Sequence, residues 1–327
     1  MQQTAFSVEQ VDSSIKYWAE DFQDLSRLTT RFSNIAATEL RSFVIQYSAV
    51  TDPESVHIEP DDFPATRYEI ENFKSRLDGE QSVCIIQPEE PFGAYETQLR
   101  HWVVANLLGE TLVQNSEGNR LIHMWDRFPT NQMSEAVRYH QTRTGGGFHT
   151  DNVNIPTPWQ YLTMGCLVPA VVGGWSQFVS GLDVHRYLSL HQPEALSVLK
   201  EDFWWEYRGI SEQLYQAPIL TIDDQGTPHF RYLRAYLESA HRRAEQPLSD
   251  RQWWAINMLD AVLNLPELQL TYKLTSGEIA LINDAQIFHA RTHFVDSQNA
   301  ISLEDCLAGQ SGPVRRSIDR TWVKVRD

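Results

Sequence analysis

Gly145-Gly146-Gly147-Phe148-His149-Thr150-Asp151-Asn152 carries more chemistry per residue than any other string in this chain. In an extended strand, residues i and i+2 project from the same face, so His149 and Asp151 offer an imidazole and a carboxylate to one divalent ion. Alone the pair is a weak signal, because such short strings arise by chance. A second string, Ile282-Asn283-Asp284-Ala285-Gln286-Ile287-Phe288-His289-Ala290-Arg291, places another imidazole in an apolar strand-like run. By itself His289 reads more simply as a core histidine bonded to a backbone carbonyl. Taken together, two histidines and one carboxylate form the facial ligand set of non-haem iron(II) chemistry. Such a set leaves positions open for a bidentate cosubstrate and O2.

Two further strings fit an anionic cosubstrate. Arg315-Arg316-Ser317-Ile318-Asp319-Arg320-Thr321-Trp322-Val323 sets arginines within an apolar strand pattern. The planar guanidinium fork binds carboxylates in bidentate fashion. Gly173-Gly174-Trp175-Ser176 is a turn followed by a strand, with a hydroxyl that can donate to a carboxylate.

These residues need a scaffold. Val8, Val11, Ile15 and Trp18 recur at helical spacing, and residues 7 to 50 read as helical, with 51 to 66 as a loop. Tyr68 to Leu77 reads as a short helix, Ser82 to Ile86 as a buried strand, and residues 94 to 108 as an amphipathic helix. Beyond residue 110 short apolar runs alternate with turn residues. Leu121 to Trp125, Tyr161 to Val168, Trp175 to Val179, Leu268 to Leu274, Ile279 to Ile282, Ile287 to Ala290 and Thr321 to Val325 read as strands, and Gly145 to Gly147 as a sharp break. Residues 183 to 264 read as a largely helical insertion. Short strands with glycine turns point to a sandwich or barrel.

Composition narrows the function classes. With 42% hydrophobic and 21% charged residues, the 327-residue chain can bury a full core. A net charge of -16 repels phosphate backbones and makes nucleic acid a poor partner. Cys84, Cys166 and Cys306 are odd in number and far apart, which argues against a disulfide framework or a zinc cluster. The first residues lack a signal-peptide pattern and no apolar run is of membrane-spanning length, so a cytoplasmic protein that acts on a small molecule is expected.

In order and context the four strings resemble the taurine dioxygenase and clavaminate synthase-like superfamily of iron(II)/2-oxoglutarate oxygenases, from about residue 80 to the C-terminus. The resemblance implies a mainly β fold with flanking helices, in which a double-stranded β-helix (jelly-roll) core over 81–327 carries the insertion at about 183–264. Residues 1–80 form a helical flank of the same single domain. It implies that His149, Asp151 and His289 hold Fe(II), that Arg316 pairs with the distal carboxylate of 2-oxoglutarate, and that Ser176 assists at the family's Thr position. Arg320 matches a second family arginine that faces the cosubstrate or an anionic substrate group, and Arg291 recurs in clavaminate synthase-like members.

One departure stands out. Arg316 follows His289 by 27 residues, a longer interval than the family usually shows, and residues 296 to 313 read as an inserted loop. Arg315, Arg320 and Arg291 therefore remain open as alternatives. Halogenases of the superfamily carry a small residue where this chain has Asp151, so halogenation is disfavoured. The implied reaction is hydroxylation of a small polar, amino-acid-like metabolite with O2, releasing succinate and CO2. Desaturation or ring formation would share the same cofactors. Arg143, Asn152, Asn154 and Trp159 are candidate walls of the substrate pocket, and the insertion and the 296 to 313 loop are candidate lids. The competing classes are a zinc hydrolase with the same ligands, which would lack an HExxH helix, and a non-catalytic jelly-roll binding protein.

Overall fold

The computed structural model describes residues 15–127, 141–156, 159–207 and 211–326. Two sheets organise the chain. The larger has seven strands. Along it run Thr29–Thr30, Val83–Ile86, Ile279–Asn283, Tyr161–Val168, Ser317–Lys324 and Glu110–Thr111, with Ile122–Met124 also paired to Ser317–Lys324. The smaller sheet orders Gln269–Tyr272, Ser176–Ser180, Ile287–Arg291 and Gly146–His149, all antiparallel. From Gly146 onward the chain passes repeatedly between the two sheets, except that Ser176–Ser180 and Gln269–Tyr272, on either side of the insertion, both belong to the smaller one.

Strand periodicity decides which side chains meet between the layers. Val83, Ile85, Leu162, Cys166, Ala280, Ile282, Ile318 and Trp322 from the larger sheet share one core with Phe178, Leu270, Tyr272 and Ile287 from the smaller. Their alternate neighbours point outward. Cys84, Ile86, Tyr161, Ile279, Leu281 and Val323 pack under the helices Asn34–Gln46, Pro64–Asp78 and Ala94–Leu108. Phe148, Val179, Phe288 and Ala290 pack under the insertion helices Gly181–His191, Pro193–Leu199 and Asp250–Leu263. Because the side-chain period is two, His289 and Arg291 share the inward face of Ile287, and Arg320 shares that of Ile318 and Trp322.

Local signals set the element ends. Glu96 Oε2 accepts from the Gly93 N–H at 2.7 Å and starts the helix Ala94–Leu108. Ser249 and Gln252 form a reciprocal capping box ahead of Asp250–Leu263. Gly173 and Gly174 hold φ of 71° and 68°, and a Cβ on Gly173 would lie 2.0 Å from the His293 carbonyl oxygen. This turn into Ser176 therefore requires glycine.

Several expectations need correction. The helical reading of 7 to 50 shortens to Trp18–Asp21 and Asn34–Gln46. Between them a 3-10 turn capped by Asp24 leads into Thr29–Thr30, which pairs in parallel with Ile85 and Ile86. Val8 and Val11 lie outside the described residues. The loop read over 51 to 66 contains two 3-10 turns and the first residues of Pro64–Asp78, the helix expected at Tyr68 to Leu77. Gly145 to Gly147 is not a break, since the strand begins at Gly146. The insertion is mixed: two hairpins, Asp202–Glu206 with Leu214–Pro218 and Leu220–Ile222 with Pro228–Phe230, lie between its helices. Phe203, Trp204 and Trp205 favour strand through side-chain packing, and Phe203 and Trp205 are fully buried. The 296 to 313 segment contains a short helix, Leu303–Leu307, capped by Ser302.

Candidate metal centre

The ladder between Gly146–His149 and Ile287–Arg291 puts His149 directly opposite His289. Both rings face the inter-sheet space, with centroids 4.3 Å apart. Asp151 lies just past the strand end, in a turn fixed from two sides. The Thr150 N–H donates to the Tyr232 carbonyl at 2.7 Å, and the Tyr232 N–H donates to Thr150 Oγ1 at 2.9 Å. The Asp151 N–H donates to Asp284 Oδ1 at 2.9 Å. Tyr232 belongs to the insertion, so that segment helps place the metal loop. In the result His149, Asp151 and His289, all buried, each offer one ligand atom within 4.8 Å of the others.

Each candidate ligand is oriented by a second contact. His149 Nδ1 donates to the Gly147 carbonyl at 2.8 Å, leaving Nε2 to face Asp151 Oδ1 at 3.8 Å. His289 turns Nδ1 toward Asp284 Oδ1 at 3.6 Å, beyond hydrogen-bond length. Asp151 Oδ2 accepts from Arg320 Nη1 at 2.9 Å and from Trp322 Nε1 at 3.1 Å. Arg320 in turn donates through Nε to Gln114 Oε1 at 2.9 Å.

The electrostatics suit metal binding, which needs neutral imidazoles and an ionised carboxylate. Burial lowers His149, and burial followed by the neighbouring His149 pushes His289 down to about 3. For Asp151 burial acts upward, but Arg320 and then the two imidazoles outweigh it and hold the carboxyl well below the usual range. Burial and then the charge of Asp151 raise Asp284 well above its ordinary value.

A pH dependence follows. His289 at about 3 and His101, which burial pushes down to about 4, both lie below the ordinary 6.5 in the folded state. At these imidazoles the unfolded chain binds more protons in that window, so their contribution is full above about 6.5 and is lost as pH falls; the raised Asp284 carboxyl acts in the opposite direction and offsets part of the loss. The melting temperature of the metal-free protein is expected to decline between pH 6.5 and about 5, above the range where ordinary carboxylates titrate. A melting temperature constant over that window would contradict this.

The remaining candidates land as follows. Ser176 opens the strand Ser176–Ser180 opposite Arg291 and is buried. Arg316 immediately precedes Ser317–Lys324. Its N–H donates to Asp296 Oδ1 at 2.9 Å, and its Nε lies 3.4 Å from where a Cβ on Gly174 would sit. The Gly173-Gly174 turn thus brings Arg316 to the start of the Ser176 strand. Arg291 and Arg316 both lie over the Phe294 ring, at 4.8 and 5.0 Å. Arg291 Nη2 donates to the carbonyls of Thr142 and Thr144. Arg315 points elsewhere, donating to the carbonyls of Ala300 and Asp126.

Two proposed pocket walls make contacts within the fold. Arg143 pairs with buried Asp126 at 2.7 Å, and Asn152 links Thr150 to the Phe230 carbonyl inside the turn. Asn154 is buried with Oδ1 unbonded, and Trp159 stacks on Trp322 at 4.0 Å. Asp284, Gln114 and Trp322 were not singled out from the sequence. Only Trp322 left a trace there, two residues beyond Arg320 and hence on the same strand face. A 570 Å³ cavity lined by Trp18, Asp78, Asp183 and Arg186 lies away from the three candidate ligands.

Comparison with known proteins adds independent information. Residues 101–306 match the family described as taurine catabolism dioxygenase TauD, TfdA. The match stops short of Arg316, Arg320 and Trp322. FR-33289 synthase of Streptomyces rubellomurinus is 23% identical over 246 residues, which are 73% of this chain and 67% of that protein. Human gamma-butyrobetaine dioxygenase is 24% identical over 157 residues, 45% of this chain and 39% of its own length. Among solved structures, asparagine oxygenase in complex with Fe(II), 2S,3S-3-hydroxyasparagine and succinate aligns with a TM-score of 0.65. Its identity is 17%, covering 91% of this chain and 94% of that one. The non-heme iron oxygenase OrfP in complex with Fe and alpha-ketoglutaric acid aligns with a TM-score of 0.62 at 15% identity, with coverage of 91% and 94%. These likenesses support the fold. Among the described residues no helix is long and apolar enough to cross a membrane.

Proposed function

This chain belongs to the TauD/TfdA family of dioxygenases, and on that premise we propose that it is an Fe(II)/2-oxoglutarate-dependent oxygenase that hydroxylates a small amino-acid-like metabolite. The observation that carries the reading is the buried His149, Asp151 and His289 group, with three ligand atoms within 4.8 Å and with neutral imidazoles beside an ionised carboxylate. This donor set fits the iron that the family implies. Iron held there would supply the oxidative chemistry, in which O2 and 2-oxoglutarate convert a C–H bond to C–OH with release of succinate and CO2.

The chain's own residues bind, orient and exclude water. Arg316, beside the Gly174 turn, takes the distal carboxylate of 2-oxoglutarate, and Ser176 on the adjoining strand donates to it. Burial keeps the Cys166 thiol up at about 12 despite the charge of Arg316, so that thiol remains neutral and does not compete for the guanidinium. Arg320 is turned to Asp151 Oδ2, which supports a role beside the metal ligand and favours Arg316 for the cosubstrate. Arg291 and Asn154 remain candidates for the substrate side. The two-sheet architecture, with the chain passing repeatedly between the layers, is the arrangement expected of a jelly-roll core in a single domain.

The amino-acid-like substrate draws support from the relatives, since asparagine oxygenase, OrfP with (3S)-hydroxy-L-Arg and gamma-butyrobetaine dioxygenase all handle amino acids or their derivatives. Incubation with Fe(II), 2-oxoglutarate, O2 and a panel of free amino acids and betaines tests it. At least one should raise succinate release above the substrate-free rate and gain one oxygen atom from 18O2. Succinate release unaffected by the whole panel would contradict the proposed substrate class, and a product lacking the label would contradict hydroxylation.

A further inference from the structure

The two carboxylate oxygens of Asp151 keep different company. Oδ2 accepts from Arg320 Nη1 at 2.9 Å and from the Trp322 indole N–H at 3.1 Å, whereas Oδ1 faces His149 Nε2 at 3.8 Å. Arg320 and Trp322 are two residues apart on one strand, so its periodicity aims both donors at one oxygen. The indole is itself fixed. It is buried and stacked on Trp159 with ring centroids 4.0 Å apart and planes 21° apart, and the Arg320 guanidinium lies 4.9 Å from it.

We propose that Trp322 is a positioning residue of the metal centre: with Arg320 it pins Asp151 Oδ2, so that the carboxylate offers the metal Oδ1 alone. The inference rests on the reading of the three ligands as an iron site. The two donors divide the task. Arg320 supplies charge, and its guanidinium is itself held through Nε by Gln114 Oε1. The stacked indole supplies a fixed neutral donor, and its N–H donates without the ability to accept. A carboxylate free to rotate could chelate through both oxygens and occupy a position that the cosubstrate or O2 needs. Held by two donors on Oδ2, it leaves that position open. The role concerns ligand geometry, so it should be visible in metal binding and spectra as well as in turnover.

Trp322→Phe keeps an aromatic ring in the stack and deletes the donor, whereas Trp159→Phe alters the stack and keeps the donor. Each variant is compared with the wild-type protein, under argon, in Fe(II) affinity by calorimetry and in the visible charge-transfer band of the Fe(II)/2-oxoglutarate complex. Thermal melts of the metal-free proteins monitor the fold. Trp322→Phe is expected to weaken Fe(II) binding about 10-fold, within the range that loss of an outer-shell partner costs, and to move the band. Trp159→Phe is expected to leave affinity within about 2-fold, because the donor to the ligand is kept. Unchanged affinity and band in Trp322→Phe would overturn the positioning role while leaving the iron reading intact. Equal losses in both variants would overturn it too, by making Trp322 a packing residue. A wild-type protein that forms no band at all would overturn the iron reading, and the positioning role with it.

Discussion

His289→Ala is expected to abolish Fe(II) retention and 2-oxoglutarate turnover together while leaving the fold standing. His289 supplies one of only three ligand atoms in the buried group, from a strand position directly opposite His149. Loss of a partner outside the ligand shell already costs roughly 10–100-fold in metal affinity or activity, and loss of a ligand should exceed that. The fold should survive because the side chain carries no charge in the metal-free protein and makes no short hydrogen bond through Nδ1. Metal analysis of the purified variant, succinate release and a thermal melt give the three readouts. Retention of stoichiometric iron with residual turnover would contradict the assignment of His289.

The second large effect falls on the cosubstrate. Arg316→Gln is expected to raise the apparent KM for 2-oxoglutarate by roughly 100-fold with a much smaller change in kcat. A buried bidentate bond between a guanidinium and a carboxylate is taken here as about 3 kcal/mol, and each 1.4 kcal/mol is a factor of ten. Arg320→Gln should behave differently. Its partner is Asp151 Oδ2, so metal affinity and kcat should fall before the KM for 2-oxoglutarate responds. Arg291→Gln should disturb neither to that degree, since Arg291 Nη2 is engaged with the Thr142 and Thr144 carbonyls. If Arg320→Gln or Arg291→Gln shows the large KM effect and Arg316→Gln does not, Arg316 is not the cosubstrate arginine.

What could be read from the sequence followed from local period. The strands Val83–Ile86, Tyr161–Val168, Ile279–Asn283 and Ile287–Arg291 and the helix Ala94–Leu108 announce themselves through apolar spacing that matches their burial. The three candidate ligands were legible for a different reason: only a few residue types bind metal, and His149 and Asp151 stand close together.

What stayed hidden depends on pairing between distant segments. Nothing local says that Thr29–Thr30 will add to the edge of Val83–Ile86, so helix-like spacing prevailed there. Nothing local says that Asp284 will receive the Asp151 N–H across 133 residues, or that Trp322 will reach Asp151 across 171. Such contacts are set by the register between two sheets, which a single sequence does not display. The same gap bears on Arg320. The resemblance implied that it faces the cosubstrate or an anionic substrate group, and its contact with Asp151 Oδ2 at 2.9 Å is set by strand pairing that no local pattern displays.

The most direct test of the account is an anaerobic absorbance titration of the wild-type protein with Fe(II), followed by 2-oxoglutarate. The account predicts a weak visible charge-transfer band that appears only when both are present, saturates at one equivalent of iron, and is absent in His289→Ala. A protein that gives no such band, or that gives it equally without His289, would contradict the claim that His149, Asp151 and His289 form an iron centre that binds 2-oxoglutarate.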